Sequence, residues 1–150
     1  MKKIASLLFI CFISINIYSQ DSQQVSPQNS FTFGFLYGGG ALLGADCEML
    51  LTKQFGLQAG FGIMAIGGGL NYHFKPSVRS SFVSLQYWHQ GFANSHTQSA
   101  IGPCYVYRSK KWFTFQIGLA KTLDKGPNWP EDKKHPPIIL TYAIGAYIPW

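Results

Sequence analysis

The chain has 150 residues and a formal net charge of +6, yet only 12% of its residues are charged, against 47% hydrophobic and 16% aromatic. A water-facing surface usually carries about 25–35% charged residues, so a conventional soluble exterior is hard to build from it. The basic residues are scattered between predicted strands without a stripe, which excludes a nucleic-acid partner on this reading, and three cysteines are too few for a disulfide scaffold.

The N-terminus opens with Met1, Lys2 and Lys3, then an apolar run from Ile4 to Ile17, then Tyr18, Ser19 and Gln20. These are the regions of a secretory signal peptide, expected over 1–19. The run is shorter than the roughly 20 residues of a spanning helix. Cys11 follows the bulky Ile10, where a lipoprotein signal wants a small residue, and is taken as part of the apolar run. Removing Lys2 and Lys3 leaves a charge of +4. Residues 20–30 are polar and predict a flexible arm, and residues 31–150 are left for one domain.

That domain reads as eight alternating segments. The first, Phe31 to Gly38, sets Phe31, Phe33, Phe35 and Tyr37 on one face, with Gly38-Gly39-Gly40 as its turn. The second, Leu42 to Leu51, places Asp46 and Glu48 on the inner face, two residues and roughly 7 Å apart. The third, Phe55 to Met64, opposes Phe55, Leu57, Ala59, Phe61 and Ile63 to a face of glycines with Gln58. Glycines 67–69 predict a turn, after which Leu70, Tyr72 and Phe74 point out and Asn71 and His73 point in.

Ser81 to Gln90 is the fifth segment, with Val83, Leu85 and Tyr87 opposite Ser84, Gln86, Trp88 and Gln90. In the sixth, Gln98 to Arg108, Pro103 lacks a ladder donor and predicts a bulge or break. The seventh, Trp112 to Leu123, carries Gln116 inward, and Asp124 to Pro137 is the longest loop. The eighth, Ile138 to Trp150, has one wholly apolar face and ends on an aromatic residue. It is expected to close the sheet against the first. Cys47 and Cys104 fall on separate strands and are expected to be free thiols.

Alternating segments of about 10 residues separated by turn residues are the signature of a transmembrane barrel. A soluble barrel also alternates, but with its apolar face inward and a solvated outer face. Here the second face is Gly, Ala, Ser, Thr and Gln, which suits a packed lumen better. The signal peptide, the eight segments and the closing aromatic together resemble the small outer-membrane β-barrels of the OmpA and OmpX kind. The run from Gly44 to Glu48 and from Thr52 to Gly60 is similar to a hairpin common in Bacteroidota members, and a mature start at Gln20 is similar to their secreted proteins. The resemblance implies an all-β, transmembrane antiparallel up-and-down barrel in the Gram-negative outer membrane. It also implies contact with membrane lipid and lipopolysaccharide, insertion by the barrel assembly machinery with Trp150 as an insertion signal, and no particular ligand.

Eight strands leave an interior just filled by side chains, so a non-enzymatic role is expected, structural or interacting, as an accessory subunit of an envelope complex. Neither catalytic residues nor cofactors are expected. The lumen residues expected are Asp46, Glu48, Gln58, Asn71, His73, Gln86 and Gln116, the two carboxylates needing a cation from Lys121, His73 or Arg79. A proton or metal site on Asp46, Glu48 and His73 is the lesser reading, since their spacing is not diagnostic. Tyr87, Trp88, Trp112, Tyr142 and Trp150 are expected at the membrane interface, and Trp129, Lys133 and Lys134 form a candidate recognition loop. The alternative function is lipid modification centred on His89: the stretch Ser84 to Gly91 resembles outer-membrane lipid A deacylases with a His-x-Ser-Asn motif. Gly91 and Phe92 stand where that motif has its serine and asparagine.

Overall fold

In a computed structural model, residues 27–92, 95–132 and 134–150 are described, so the expected signal peptide, residues 20–26 of the arm and Lys133 lie outside them. The eight strands are β1 (Asn29–Phe35), β2 (Leu43–Leu50), β3 (Phe55–Gly62), β4 (Ala65–His73), β5 (Phe82–Phe92), β6 (Ser95–Arg108), β7 (Phe113–Lys125) and β8 (Ile138–Pro149). One four-residue helical turn, α1 (Tyr37–Gly40), interrupts them. Each strand pairs antiparallel with its sequence neighbours, and β8 returns to β1 with Phe31 opposite Ile148 and Phe35 opposite Ile144. The result is a closed up-and-down barrel with no sheet edge left unpaired.

The wall is staggered. Phe31 pairs with Cys47, Cys47 with Ala59, Ala59 with Gly68, Gly68 with Tyr87, Tyr87 with Ile101, Ile101 with Lys121 and Lys121 with Ile138. The β8–β1 register then sets Ile138 level with position 41, ten positions beyond Phe31 (41 against 31). Closing a sheet with such a shear tilts every strand across the barrel axis.

Alternation decides what each face carries. Phe33, Leu57, Phe61, Leu70, Leu85, Ile117, Leu119, Leu140 and Ile144 all point outward and are exposed, while Thr32, Glu48, Asn71, Ser84, Gln116 and Thr141 on the intervening positions are buried. The barrel is therefore apolar outside and polar inside, the reverse of a water-soluble barrel. Three short connections, at 51–54, 74–81 and 109–112, lie at the end where Asn29 and Trp150 meet. Hydroxyl groups hold all three: Thr52 Oγ1 accepts from Phe55 N (3.0 Å), Ser80 Oγ from Lys75 N (3.0 Å) and Ser109 Oγ from Phe113 N (3.0 Å).

Four expectations are corrected. The first strand stops at Phe35, not Gly38: Leu36 takes a φ of 62°, the chain turns inward, and Tyr37, expected outside, is 3% exposed inside the barrel. Glycines 67–69 are not a turn but lie within β4; the turn is Ile63–Met64, with Met64 at φ 60°. Pro103 makes no bulge, since it stays in register opposite Leu85; the bulges fall at Gln90/Gly91 and Ser99/Ala100. The break that was the other half of that expectation does occur, on the other side, where the β6–β7 ladder passes over Gly102 and Pro103 without changing register. Finally, the arm ends earlier, because Asn29 and Ser30 belong to β1 and Leu50 N donates to Gln28 O (2.8 Å).

Candidate functional site: a filled polar lumen

The lumen is filled in three tiers. The lowest, next to the short turns, centres on Glu48. Its Oε2 takes Arg108 Nη1 (2.7 Å) and Ser30 Oγ (3.2 Å); its Oε1 takes His73 Nε2 (2.8 Å) and Asn71 Nδ2. A carboxylate offers about four lone-pair sites, and here all four meet a donor. Arg108 also donates to Ser30 Oγ (2.9 Å) and to the Val78 carbonyl, and its guanidinium lies between the rings of Phe82 (4.8 Å) and Tyr147 (4.9 Å). The second His73 nitrogen, Nδ1, faces the Ser80 carbonyl oxygen at 3.2 Å. Val78, fully buried, brings the 74–81 turn up beneath this cluster and closes the end.

Of the three partners expected for the carboxylates, His73 does reach Glu48. Lys121 and Arg79 are both exposed, and the cation is one not expected, Arg108. Arg108 is, as expected, the last residue of β6, and it falls on the inward parity of Val106 and Cys104. Counting parity back from Cys104 was the available signal.

The middle tier is amide chemistry. Gln86 and Gln116 donate to each other across the lumen (3.3 and 2.9 Å), Asn71 donates to Gln58 (3.0 Å), and Ser84 donates to Asn71. Trp88 joins this tier, its indole N–H donating to Gln86 Oε1 at 3.0 Å. It is a lumen residue, which corrects its place in the expected outer ring.

The upper tier is main chain. The connection from Leu36 to Ala41 folds into the barrel mouth, where Gly38 N donates to Asp46 Oδ1 (3.3 Å) and Gln90 Nε2 donates to the Gly40 carbonyl (3.1 Å), while the Tyr37 side chain reaches down the lumen to Thr114 Oγ1 (3.2 Å), the ladder partner of Arg108. Its seat is the glycine face of β3 and β4. A Cβ on Gly60 would fall 1.7 Å from Asp46 Oδ1, and one on Gly67 would fall 2.8 Å from the Gly39 Cα. Gly38 and Gly39 themselves sit at φ 66° and 83° with carbonyl oxygens of Phe61 and Ile66 about where their side chains would be. The glycine ladder of the sequence is thus the socket of an inserted loop. Beside it remains a polar cavity of about 10 Å³ between Asp46, Gln58, Gln86 and Gln116, the room of roughly one water.

The seven expected lumen residues therefore all face the interior and are buried. Among the described residues, no group of three or more His, Cys, Asp and Glu is placed to hold a metal ion. Of the residues expected at the membrane interface, Trp112 and Trp150 are exposed at the short-turn end, and Tyr87 and Tyr142 are exposed further along the wall. Trp129 is half-buried and packs edge-on against His135 at 4.5 Å, and Lys134 is exposed. Cys47 is exposed and Cys104 buried; both are free.

His89 lies outside the lumen. It points outward on β5, and directly across the ladder on β6 the Ser99 hydroxyl sits 2.8 Å from its Nδ1. His96 stacks on His89 at 5.0 Å and reaches Asp124 at 2.8 Å. Ser99 is 6% exposed. The sequence motif has no serine two residues after the histidine; a cross-strand neighbour supplies one, which linear spacing does not reveal.

The fold and its interior define a class: a closed eight-stranded antiparallel barrel with an apolar wall and a plugged, hydrogen-bonded lumen. Comparison with protein-family models, curated proteins and solved structures finds no match to this chain.

Proposed function

We propose that this barrel is an integral protein of the Gram-negative outer membrane, reached after cleavage of the 1–19 signal. In this role it is a non-enzymatic structural or interaction element, an accessory subunit of an envelope complex. The observation that carries the reading is the inverted wall. Large apolar side chains cover the outside of all eight strands, and the buried charges are gathered inside, where Glu48 and Arg108 form an ion pair. In water such a wall is an aggregation surface; in a bilayer it is the required one. Closure also answers the demand that every backbone group at membrane depth be paired within the protein.

The filled lumen supports a barrel that does not conduct, because the inserted loop, the Gln86–Gln116 pair and the Glu48–Arg108 cluster block its axis in turn. Its partners are then outer-membrane lipid and lipopolysaccharide on the wall, the assembly machinery during insertion, and another outer-membrane protein. Membrane fractionation with heat-modifiable gel migration tests the location: recovery in the soluble periplasmic fraction overturns it. Gentle detergent extraction followed by pull-down tests the subunit role, and a lone monomer counts against it.

The Ser99–His89 contact favours one second reading, a lipid-modifying enzyme on the outer wall. Hydroxyl and imidazole stand at the distance of a nucleophile and its base, although Ser99 is buried beneath His89 and Tyr87 and a substrate would have to displace them. Lipid A mass spectra from cells with the protein and with its Ser99→Ala variant decide it: identical spectra dispose of the enzyme.

A further inference from the structure

The end of the barrel that carries the three short turns is electrostatically one-sided. Lys53, Lys75, Arg79, Lys110 and Lys111 all lie in these turns and all are exposed. None of the five has a carboxylate within ion-pair distance among the described residues. The described acidic residues are elsewhere: Asp46 and Glu48 are inside the lumen, while Asp124, Glu131 and Asp132 are at the opposite end.

Each cationic turn is joined directly to an exposed aromatic residue. Phe74 precedes Lys75, Phe55 follows Lys53 by two positions, and Trp112 follows Lys111; they are 52%, 56% and 60% exposed. Trp150 lies on the same rim, tied to Asn29 through Trp150 N to Asn29 O (3.0 Å). A rank of aromatic rings therefore runs along the end of the apolar wall, with a rank of unpaired cations immediately beyond it. Rings of this kind settle at the headgroup level, and flexible ammonium groups one step further out reach phosphate.

We infer that this rim is a docking surface for anionic phospholipid headgroups in the leaflet it meets. The inference rests on the membrane reading above. An acidic protein is the competing occupant, but the cations are distributed over all three turns instead of gathered on one side, and an aromatic ring accompanies each turn. That arrangement matches a surrounding annulus of lipid better than a single docked face.

The test uses the protein purified from membranes and placed in nanodiscs of equal parts phosphatidylglycerol and phosphatidylcholine, with either one or the other lipid brominated. Bromine quenches nearby tryptophan, and Trp112 and Trp150 sit at the rim. Bromination of the anionic lipid should quench more, corresponding to about fivefold enrichment at low salt, and the difference should shrink at high ionic strength as the charges are screened. In the Lys53→Gln, Lys75→Gln, Arg79→Gln, Lys110→Gln, Lys111→Gln variant it should vanish; should that variant not fold, Lys110→Gln with Lys111→Gln should reduce it. Equal quenching by both lipids in the unaltered protein overturns the headgroup proposal alone, as does a preference that survives the substitutions. Quenching by neither lipid, without heat-modifiable migration, overturns the membrane reading with it. Loss of a co-purifying acidic protein from the variant, with lipid preference absent throughout, assigns the rim to that partner instead.

Discussion

Removing the Arg108 side chain is the sharpest perturbation of the lumen. Arg108→Met takes away the ion pair to Glu48 at 2.7 Å, the hydrogen bonds to Ser30 and Val78, and the packing between Phe82 and Tyr147. The side chains of Arg108 and Glu48 are 3% and 2% exposed, so water cannot replace the lost partner. Breaking a buried pair from one side costs about 3–5 kcal/mol, a large part of a typical stability of about 5–15 kcal/mol. Glu48→Gln should cost a similar amount, since it strands the guanidinium. The double variant leaves no unpaired charge, so it should be less damaging than the sum of the singles by about 2–3 kcal/mol. Urea unfolding in phospholipid vesicles, followed by tryptophan fluorescence and by heat-modifiable migration, measures all three. A coupling below about 0.5 kcal/mol, or an Arg108→Met cost below about 1 kcal/mol, would refute the reasoning that this cluster is desolvated and mutually dependent.

Gly39→Ala should destabilise by about 3 kcal/mol or more in the same assay, because its φ of 83° is combined with a Cβ position 2.1 Å from the Ile66 carbonyl oxygen; wild-type stability would discount the loop as a fitted plug. Cys47, exposed on the wall, should react with a lipid-soluble maleimide but not with a charged one in the folded protein in membranes, whereas Cys104, buried in the lumen, should react with neither until unfolded; prompt labelling of Cys47 by the charged reagent would place the wall in water. Planar-bilayer recordings should show no steady conductance, and replacing residues 37–41 with Asn-Gly should raise the frequency of openings; a stable conducting state of the unaltered protein would contradict the filled lumen.

Strand parity was the most legible property of the sequence. Leu57, Phe61, Leu70 and Leu85 fall on the face their alternation predicts, and so do Gln58, Asn71 and Ser84, because a pleated strand leaves no third choice. Connections were less legible. A glycine run reads equally as a turn or as a place where two backbones touch, and local sequence does not distinguish them: 38–40 form the inserted loop and 67–69 a stretch of β4 against which it packs. Tyr37 was misplaced for the same reason, since the alternation from Phe33 through Phe35 continues to Tyr37 on paper while the left-handed backbone at Leu36 reverses it in space. Long-range pairings were illegible in principle. Glu48 meets Arg108 sixty positions away, and His89 meets Ser99 across a ladder, through registers that only the closed sheet defines.

The inserted loop has a consequence for the order of assembly. Its ligands are Asp46 on β2, carbonyl oxygens around Phe61 and Ile66 on β3 and β4, Gln90 on β5 and Thr114 on β7, yet the loop itself links β1 to β2. The first connection in the chain therefore has no place to settle until strands from across the molecule have paired. Docking of Tyr37–Gly40 therefore needs β2, β3, β4, β5 and β7 already in place, so the loop fits into a barrel whose wall is defined without it.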